Sequence, residues 1–417
     1  MTSMIKPGLE QTILLLDALG NPHLNFKSVH VAGTNGKGSC CCLLRHGLVA
    51  SGFKTGTFTS PHFLTQRDSI RINNQVVSQQ AYDNAYNQVT TANTTHCIQA
   101  SLFELLTVTC FVLFAQFNVE IAVIEVGMGG RLDATNVIPA PLIAVLMPIA
   151  LDHTFFLGST IESIARHKAG IIKPSCIVVV AQQVFAQATD VIVFEAKQKS
   201  CSIAFAKPAT LSEDGTASVQ WKGSAYLVPI SLVGDHQLVN LGAAVQVLEI
   251  LESQGWHIPP SCFTSLEHAS LPGRLEWITL ANKTRFLLDG SHNILGAELL
   301  AKYVNSVRVN GEPVSWIYGF THGKDISGVL SQLVQKGDIL YTVGFEQPEG
   351  MPWIKCATHS EISDAANSLQ LKCTEVNNLA KLLGDLEGFK VVCGSLYLVA
   401  QVYRTLGLFD VSTDLIG

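Results

Sequence analysis

A glycine-rich segment with one lysine and one serine is the part of the sequence whose residue types most directly predict chemistry. The stretch Gly33-Thr34-Asn35-Gly36-Lys37-Gly38-Ser39 follows an apolar run and precedes a helical pattern. Glycines let successive backbone N–H groups converge on phosphate oxygens, and a helix N-terminus favours negative charge. Lys37 can bridge the β- and γ-phosphates of a nucleotide, and Ser39 can hold Mg²⁺. We therefore predict a phosphate-binding loop, although Val31 and Gly38 depart from the strict G-x-x-x-x-G-K-[ST] pattern.

Acidic and histidine side chains follow two further apolar runs. Glu125 stands at the end of one run, before Gly127-Met-Gly-Gly130, and the pair Asp152-His153 follows the next run. Parallel strands bring their carboxyl ends to one edge of a sheet, so these residues should emerge beside the glycine-rich segment. We predict that Glu125 and His153 help to hold a metal ion there. His153 taken alone would more often be a capping or core histidine.

Two charged residues lie in otherwise apolar helical segments. Lys168 is part of Ile164-Ala-Arg-His-Lys-Ala-Gly-Ile171, and Glu104 closes Ser101-Leu-Phe-Glu104. A buried charge is costly unless it is paired, hydrogen-bonded or chemically modified. Lys168 is therefore either paired or modified, or else it is a surface lysine with only its stem buried. Glu104 needs a partner or a ligand.

The segments that would position these residues predict an α/β protein. Short apolar runs alternate with helical patterns such as Ser101 to Phe117, as expected for βα units around a parallel sheet. The strand candidates are Ser28 to Ala32, Glu120 to Val126, Leu142 to Met147 and Ile177 to Ala181. An alternating segment, Ala217 to Ile230, and an amphipathic helix, Asp235 to Ser253, complete the region. We predict a P-loop ATPase-like domain over residues 1–270, with a parallel-dominated sheet.

A second, smaller domain is predicted over residues 271–417. The turn-rich segment Ser270-Leu-Pro-Gly-Arg274 marks the boundary at about Leu271. Beyond this segment, strands alternate with helices, the strands near Phe286, Ser315, Ile339 and Val391 and the helices near Ile294, Ile326, Asn377 and Leu396. The alternation predicts a Rossmann-like α/β domain. The two domains are expected to face a shared cleft, where ligands usually bind.

Composition and charge exclude several classes of function. The chain has 417 residues, of which 47% are hydrophobic, so it can form two sizeable cores and is neither disordered nor a disulfide mini-protein. A net charge of −6 with scattered Lys and Arg argues against a nucleic-acid partner. The longest uncharged stretch, residues 134–151, contains prolines and makes a poor membrane span. Residues 1–10 show no secretory signal, so we expect a cytoplasmic protein whose 11 Cys are reduced and mostly buried.

Together, these segments resemble the folylpolyglutamate synthase and dihydrofolate synthase family, in its bifunctional bacterial form, within the Mur ligase superfamily. The resemblance runs from about Gly8 to the end of the chain. Its most specific motifs are Val31-Ala-Gly-Thr-Asn-Gly-Lys-Gly-Ser39, Thr59-Ser-Pro-His62, Glu125-Val-Gly-Met-Gly-Gly-Arg-Leu-Asp-Ala-Thr-Asn-Val137, Lys168-Ala-Gly-Ile171, His236-Gln237 with Asn240, Pro272-Gly-Arg274, Asp289-Gly-Ser-His-Asn293 and Gly394-Ser-Leu-Tyr397. Among the departures from the family pattern, His167 replaces a Glu, Ser69 an Arg and Lys6 an acidic residue.

The resemblance implies a set of site residues. ATP would contact Thr34, Asn35, Gly36, Lys37, Gly38, Ser39, Asn240, Arg274 and Asp289. Two Mg²⁺ ions would be held by Ser39, Ser60, Glu125 and His153. Lys168 would be carbamylated, which turns a costly buried cation into an anion. The pterin or folate pocket would consist of Ser101, Leu102, Phe103, Glu104, Leu132, Asp133 and Ala134, with Asp133 accepting hydrogen bonds from the pterin. His292 would meet the incoming glutamate, and Lys37, Lys168 and His292 would be the catalytic residues.

The implied activity is ATP-dependent ligation of L-glutamate to dihydropteroate and to tetrahydrofolate glutamates. Phosphoryl transfer would convert a substrate carboxylate into an acyl phosphate, which the glutamate amine would attack. The expected partners are therefore small molecules, and the enzyme is expected to be monomeric, with no nucleic-acid or membrane partner. Two alternatives remain: another Mur-type amino-acid ligase, and a nucleotide-binding regulator that has lost catalysis. The pterin-pocket segments argue against the first alternative, and Glu125, His153 and Lys168 argue against the second.

Overall fold

The described residues form two compact units. The computed structural model describes residues 8–408 apart from 213–214, 281–282 and 310, so Lys6 lies outside the described residues. The first unit comprises residues 8–231 and Asp235–Ser270, and the second comprises Leu232–Gly234 and residues 271–408. Each unit has one main sheet, and the first unit has a small second sheet as well.

The first unit contains a large sheet, a small antiparallel sheet and the helices that cover them. Its strands are β1 (Lys27–Ala32), β2 (Thr55–Phe58), β3 (Ile70–Ile72), β4 (Gln75–Val76), β5 (Ile121–Glu125), β6 (Ile143–Leu146), β7 (Ile177–Val180), β8 (Ser202–Phe205), β9 (Thr210–Leu211), β10 (Ala217–Trp221) and β11 (Ser224–Val228). Its α-helices are α1 (Glu10–Ala18), α2 (Lys37–Ala50), α3 (Gln79–Thr95), α4 (Leu102–Gln116), α5 (Thr154–Leu157), α6 (Ile161–Lys168), α7 (Ala186–Gln198) and α8 (His236–Ser253).

The large sheet is parallel except at one edge. Its strand order is β4-β3-β2-β5-β1-β6-β7-β8, in which β3 and β4 are the antiparallel strands. The central strands are apolar because helices cover both faces, and every residue of β5 is buried. The register pairs Val31 with Glu125, Ala32 with Leu146 and Phe58 with Ile124. Neighbouring strands therefore end at the same level, and the loops that follow them leave the sheet along one edge.

Two apolar cores hold the helices of this unit against the large sheet. One core joins α1, α3 and α4 to the sheet through Leu15, Phe58 and Phe111. The other joins α6 and α7 to β7, with Ile164 and Ile192 fully buried. These cores fix the positions at which the loops leave the sheet.

The second unit has a six-stranded mixed sheet within its described residues. Its strands are β12 (Glu276–Thr279), β13 (Arg285–Leu288), β14 (Val314–Tyr318), β15 (Ile339–Thr342), β16 (Cys373–Glu375) and β17 (Phe389–Cys393). Its α-helices are α9 (Ile294–Val307), α10 (Ile326–Leu333), α11 (His359–Ser368), α12 (Leu379–Asp385) and α13 (Leu396–Leu406). The order is β12-β13-β17-β14-β15-β16, with β12 antiparallel and the other strands parallel.

The predicted fold class, α/β with a parallel-dominated first sheet, is confirmed. The four strand candidates correspond to β1, β5, β6 and β7, and the two predicted long helices correspond to α4 and α8. The antiparallel edge strands β3 and β4 and the polar helix α3 were not predicted. Each Cys is a free thiol, and most are buried. Among the helices within residues 8–408 that are described, none is long and apolar enough to cross a membrane.

Candidate active site

The glycine-rich segment, residues 33–39, forms a tight turn between β1 and the start of α2, which we call the glycine turn. Gly36 caps α2 with a left-handed φ of 84°. The first backbone hydrogen bond of the helix runs from the Cys40 amide to Gly36 O. The amides before Cys40 therefore make no hydrogen bond to a carbonyl four residues earlier in the helix. The Thr34 and Asn35 amides instead donate to Pro148 O at 2.9 and 3.3 Å, which ties the turn to the segment after β6. The first turn of α2 thus presents the amide donors and the helix dipole that suit a phosphate.

Lys37, Glu125 and Ser60 meet beside this turn. Lys37 Nζ donates to Thr34 O at 3.2 Å and lies 3.8 Å from Glu125 Oε1. Glu125 Oε2 accepts from the Ser60 amide at 3.3 Å. Ser60 Oγ is buried and has no hydrogen-bond partner among the described residues. A Cβ built on Gly38 would lie 3.5 Å from Glu125 Oε2, which places the Ser39 end of the turn next to the same carboxylate.

His153 lies at the same sheet edge, at the start of α5. It has a left-handed backbone, with φ 50° and ψ 36°, and its Nε2 lies 3.8 Å from Asp152 Oδ2. The imidazole is 44% exposed. In the part of the chain that the structure describes, no three His, Cys, Asp or Glu side chains form a group that could hold a metal ion. The structure therefore joins Ser60 to Glu125, and the part of His153 in a metal site stays a prediction.

Lys168 is buried, and it reaches back to the glycine turn. Its Nζ donates to Gly33 O at 2.8 Å, and the residue is only 5% exposed. Burial, together with the charge of Lys37, lowers the pKa of Lys168 to about 7, although Asp152 and Asp133 partly oppose the change. The surface-lysine alternative is therefore wrong. The amine is partly uncharged near neutral pH.

Asn240 of α8 contacts the glycine turn. Its Nδ2 donates to Gln237 Oε1 at 2.8 Å, and a Cβ at Gly36 would lie 2.3 Å from its Oδ1. Only a glycine at position 36 leaves room for this side chain. The predicted ATP-binding residues of the first unit are thus all on or beside the turn.

Ser101 and Glu104 form a capping box at the start of α4. Glu104 Oε2 accepts from the Ser101 amide at 2.7 Å, and Ser101 Oγ accepts from the Glu104 amide at 3.3 Å. Glu104 Oε1 also accepts from Thr12 Oγ1 at 2.9 Å. The partner that Glu104 was expected to need is therefore supplied by the chain itself.

Aromatic and apolar groups lie between α4 and the loop after β5. A Cβ at Gly127 would lie 2.4 Å from Phe103 Cζ, and Phe103 also packs near Phe58, with 6.2 Å between ring centroids. Leu132 is 45% exposed on the same loop. Phe103 is partly exposed beside this loop, and an aromatic face of this kind suits a flat aromatic ligand. Leu102 is half-buried next to Phe103, and Ala134 is buried after Asp133.

Asp133 braces this loop. Its Oδ1 accepts from the Thr135 amide and hydroxyl at 3.0 and 2.6 Å, and its Oδ2 accepts from the Met128 amide at 2.8 Å. Burial raises the pKa of Asp133, while the hydrogen bonds from Thr135 and Met128 oppose the rise. The carboxylate thus has a structural role, and its predicted contact with the pterin stays a prediction.

His30 supports Asp133 through a hydrogen bond to Thr135. His30 was not identified as part of the site from the sequence. His30 Nε2 lies 2.8 Å from Thr135 Oγ1, and because the single hydroxyl proton goes to Asp133, the imidazole is the donor. Burial, assisted by Lys173, lowers the pKa of His30 to about 3, so the imidazole is neutral. The only signal in the sequence was a histidine inside the apolar run Ser28 to Ala32.

The second unit brings Arg274, Asp289 and His292 together around Gly290. Asp289 Oδ2 accepts from the Leu275 amide at 2.9 Å, and its Oδ1 accepts from the Ser291 amide at 2.8 Å. His292 Nδ1 lies 3.0 Å from Gly290 O. A Cβ at Gly290 would lie 2.7 Å from Arg274 Nη1. Asp289 therefore holds the turn after β13, and the ATP and glutamate contacts expected of these residues stay predictions.

Comparison with known families agrees with this arrangement. Residues 31–248 match the family model described as the Mur ligase middle domain, and residues 276–405 match the one described as the dihydrofolate synthetase C-terminal domain. The fold and the two family matches therefore define a Mur-type ligase.

Individual relatives specify the family within that class. A probable dihydrofolate synthetase of Schizosaccharomyces pombe is 37% identical over 97% of this chain and 99% of its own. A dihydrofolate synthase/folylpolyglutamate synthase of Bacillus subtilis is 30% identical over 96% of this chain and 95% of its own. The solved structure of the bifunctional Yersinia pestis enzyme, complexed with AMPPNP and Mn ion, aligns with a TM-score of 0.81 and 27% identity over 97% of this chain and 95% of that one. The chain belongs to the dihydrofolate synthetase and folylpolyglutamate synthase family.

Proposed function

We propose that this protein is an ATP-dependent ligase that joins L-glutamate to dihydropteroate and to tetrahydrofolate glutamates through an acyl phosphate. The observation that carries the proposal is the meeting of Lys37, Glu125 and Ser60 at the ends of neighbouring strands, beside the glycine turn. Names of relatives support the choice of substrates, since those relatives are dihydrofolate and folylpolyglutamate synthases.

The first step is phosphoryl transfer. An oxygen of the substrate carboxylate attacks the γ-phosphorus of ATP, the bond to the β,γ-bridging oxygen breaks, and ADP leaves. Lys37 is placed to neutralise charge on the transferred group, because it sits at the first position of α2 with its ammonium at the turn. The glutamate amine then attacks the acyl carbon, phosphate leaves, and the amine loses a proton. His292 is proposed to meet that glutamate.

The residues present fit a divalent metal ion. Ser60 Oγ is a buried oxygen without a partner, and it belongs to the residue whose amide contacts Glu125. Hydroxyl and carboxylate oxygens are the ligands that Mg²⁺ prefers. We propose that Ser39, Ser60, Glu125 and His153 hold two Mg²⁺ ions, which when bound neutralise phosphate charge. A relative crystallised with AMPPNP and Mn ion supports a nucleotide and a divalent metal in this family.

Lys168 is proposed to carry a carbamate. Its uncharged amine adds to CO₂, a new N–C bond forms and a proton is released, which leaves an anion on the side chain. The lowered pKa supports this step because only the uncharged amine is a nucleophile. The position supports it as well, since Nζ lies against Gly33 O and the carbamate would sit beside the turn that binds phosphate.

The substrate pocket is proposed to lie between α4 and the loop after β5. Phe103 and Leu132 would contact the pterin and benzoyl rings, and Ser101, Leu102, Glu104, Asp133 and Ala134 would shape the pocket. The match of residues 276–405 to the dihydrofolate synthetase model favours dihydropteroate as the first substrate. The bifunctional relative from Bacillus subtilis favours tetrahydrofolate extension as a second activity.

The test offers dihydropteroate and tetrahydrofolate in parallel, each with ATP, Mg²⁺ and L-glutamate, and measures ADP together with the products by mass. We expect glutamate-dependent ADP release and one added glutamate on dihydropteroate. Lys37→Ala should lower kcat about a thousandfold because it removes a charge that acts on the transferred phosphoryl group. The matched control Lys54→Ala removes an exposed lysine of the same unit and should keep full activity.

Two results would contradict the proposal. ADP release with a cell-wall nucleotide and an amino acid, but with neither folate, would indicate another Mur-type ligase. A Lys37→Ala variant that keeps more than about a tenth of the wild-type rate would show that Lys37 of the glycine turn does not act on the transferred phosphoryl group.

A further inference from the structure

Two arginines lie close together on the first unit, away from the glycine turn. Arg45 is on α2, eight residues after Lys37, which corresponds to ~12 Å along the helix. Arg71 is on β3, next to the turn that contains Asn74. Arg45 Nε donates to Asn74 Oδ1 at 3.1 Å, and Arg71 Nη1 donates to Asn74 O at 3.3 Å. One residue therefore links the two guanidinium groups.

Neither guanidinium has a carboxylate partner within the described chain. The remaining contacts of Arg45 run from Nη2 to Cys42 Sγ at 3.4 Å and to His46 Nε2 at 3.3 Å. These partners are a sulfur and an imidazole, although Arg45 is only 6% exposed. A buried cation is ordinarily paired with an anion, because the desolvation cost is otherwise not offset. The described contacts of Arg45 therefore include an amide, a sulfur and an imidazole, and none of them carries a negative charge.

The charges around this pair are mostly positive. Burial and the neighbouring Arg45 lower the pKa of Arg71 to about 10, while Asp68 opposes the change. Burial, together with Arg45, His268 and Arg71, lowers the pKa of His46 to about 4. Asp68 offsets part of this charge from a distance, but among the described residues it forms no ion pair with either arginine, and its two oxygens accept from the amides of residues 63–65 at 2.8 to 3.1 Å.

We propose that Arg45 and Arg71 form a second anion-binding site, separate from the glycine turn, for a small doubly charged oxyanion. Two planar guanidinium forks held by Asn74 match a phosphate or a pair of carboxylates. If the protein has the proposed function, two oxyanions of its reaction fit this site. They are the inorganic phosphate that the reaction releases and the carboxylates of a glutamyl chain. Arg71, Asn74 and His268 are at least partly exposed, so the site opens to solvent.

The experiment is isothermal titration of the full-length protein carrying Lys37→Ala, which weakens phosphate binding at the glycine turn. Inorganic phosphate is titrated in one arm and γ-glutamylglutamate in the other. We expect binding in at least one arm, and Arg45→Gln should weaken it at least tenfold. Arg285→Gln is the matched control. It removes one charge that stacks 4.1 Å from the ring centroid of Trp277 in the other unit, and it should change affinity less than about twofold.

A second variant keeps the proposal falsifiable if Arg45→Gln fails to fold. Arg71→Gln loses one hydrogen bond to Asn74 and should also weaken binding at least tenfold. Binding in the phosphate arm alone or the glutamyl arm alone identifies the source. Absence of binding in both arms, or equal affinity in the arginine variants and the Lys37→Ala background, overturns the proposal.

Discussion

At the scale of a single residue, the lowered pKa of the buried Lys168 amine favours its proposed modification to a carbamate. If its carbamate is the working form, Lys168→Ala should lower kcat by about a hundredfold or more, since the anion beside the glycine turn is lost. Added short-chain carboxylic acids should restore part of the rate by occupying the vacated position. Steady-state assays with and without acetate measure the effect, and Lys197→Ala, on an exposed lysine of α7, is the control. Full activity with an unmodified lysine amine by mass spectrometry would contradict the carbamate.

The same residue predicts a pH dependence of stability. The pKa of Lys168 is about 7 in the folded chain, below its ordinary value of 10.5, so between these pH values the unfolded chain binds more protons. The penalty for burying the charge is therefore fully present below pH ~7 and disappears as the pH rises toward ~10. In CO₂-free buffer, Lys168→Met should be most favourable relative to wild type at pH ~6, and its advantage should shrink by pH ~9. Urea unfolding at each pH measures this difference, and a constant difference would show that folding does not lower the pKa of Lys168.

At the scale of the element, α4 depends on its N-terminal cap. Glu104→Ala removes the acceptor for the Ser101 amide and for the buried hydroxyl of Thr12, and should destabilise the fold by about 2 to 4 kcal/mol. The chain contains a comparable control, because Glu361 makes the same capping box with Thr358 at the exposed start of α11, where it also contacts His322. Glu361→Ala should cost less than half as much. Equal losses in denaturant unfolding would show that burial of the cap adds nothing.

The loop after β5 predicts a difference between substrates. Asp133→Ala removes the acceptor for Met128 and Thr135 and the proposed partner of the pterin, so kcat/KM for dihydropteroate should fall by roughly tenfold to a hundredfold. Extension of tetrahydrofolate glutamates should fall less, because a longer substrate is also held through its glutamate tail. The two substrates serve as each other's control. Equal losses would indicate that Asp133 acts only as a brace.

At the scale of the whole molecule, nucleotide and metal binding should appear as thermal stability. AMPPNP with Mg²⁺ should raise the melting temperature by about 3 °C or more above AMPPNP alone, because binding to the folded state alone stabilises it. Ser60→Ala and Glu125→Gln should each remove most of this Mg²⁺ increment. Ser51→Ala, at the far end of α2, should retain the full increment. An increment that survives in both ligand variants would place the metal elsewhere.

Sequence reasoning succeeded where the signal is local. The glycine turn, β1 and β5 are short segments whose residue order alone predicts a strand, a turn and a helix. It failed where partners are distant in the chain, because Glu104 bonds to Thr12 across 92 positions and His30 reaches Thr135 across 105. The pairing of Arg45 with Arg71 was missed for the same reason. Hydrogen bonds between distant residues depend on the packed sheet, and no single segment encodes them.

The contact between Lys168 and Gly33 joins the end of α6 to the glycine turn across 135 positions of the chain. If the proposed carbamate forms, its nitrogen keeps only one N–H to donate, so a single donor would have to serve the turn. The modification and the shape of the turn would then depend on each other. The specific activity of a preparation should in that case rise with the amount of dissolved CO₂ in its buffer.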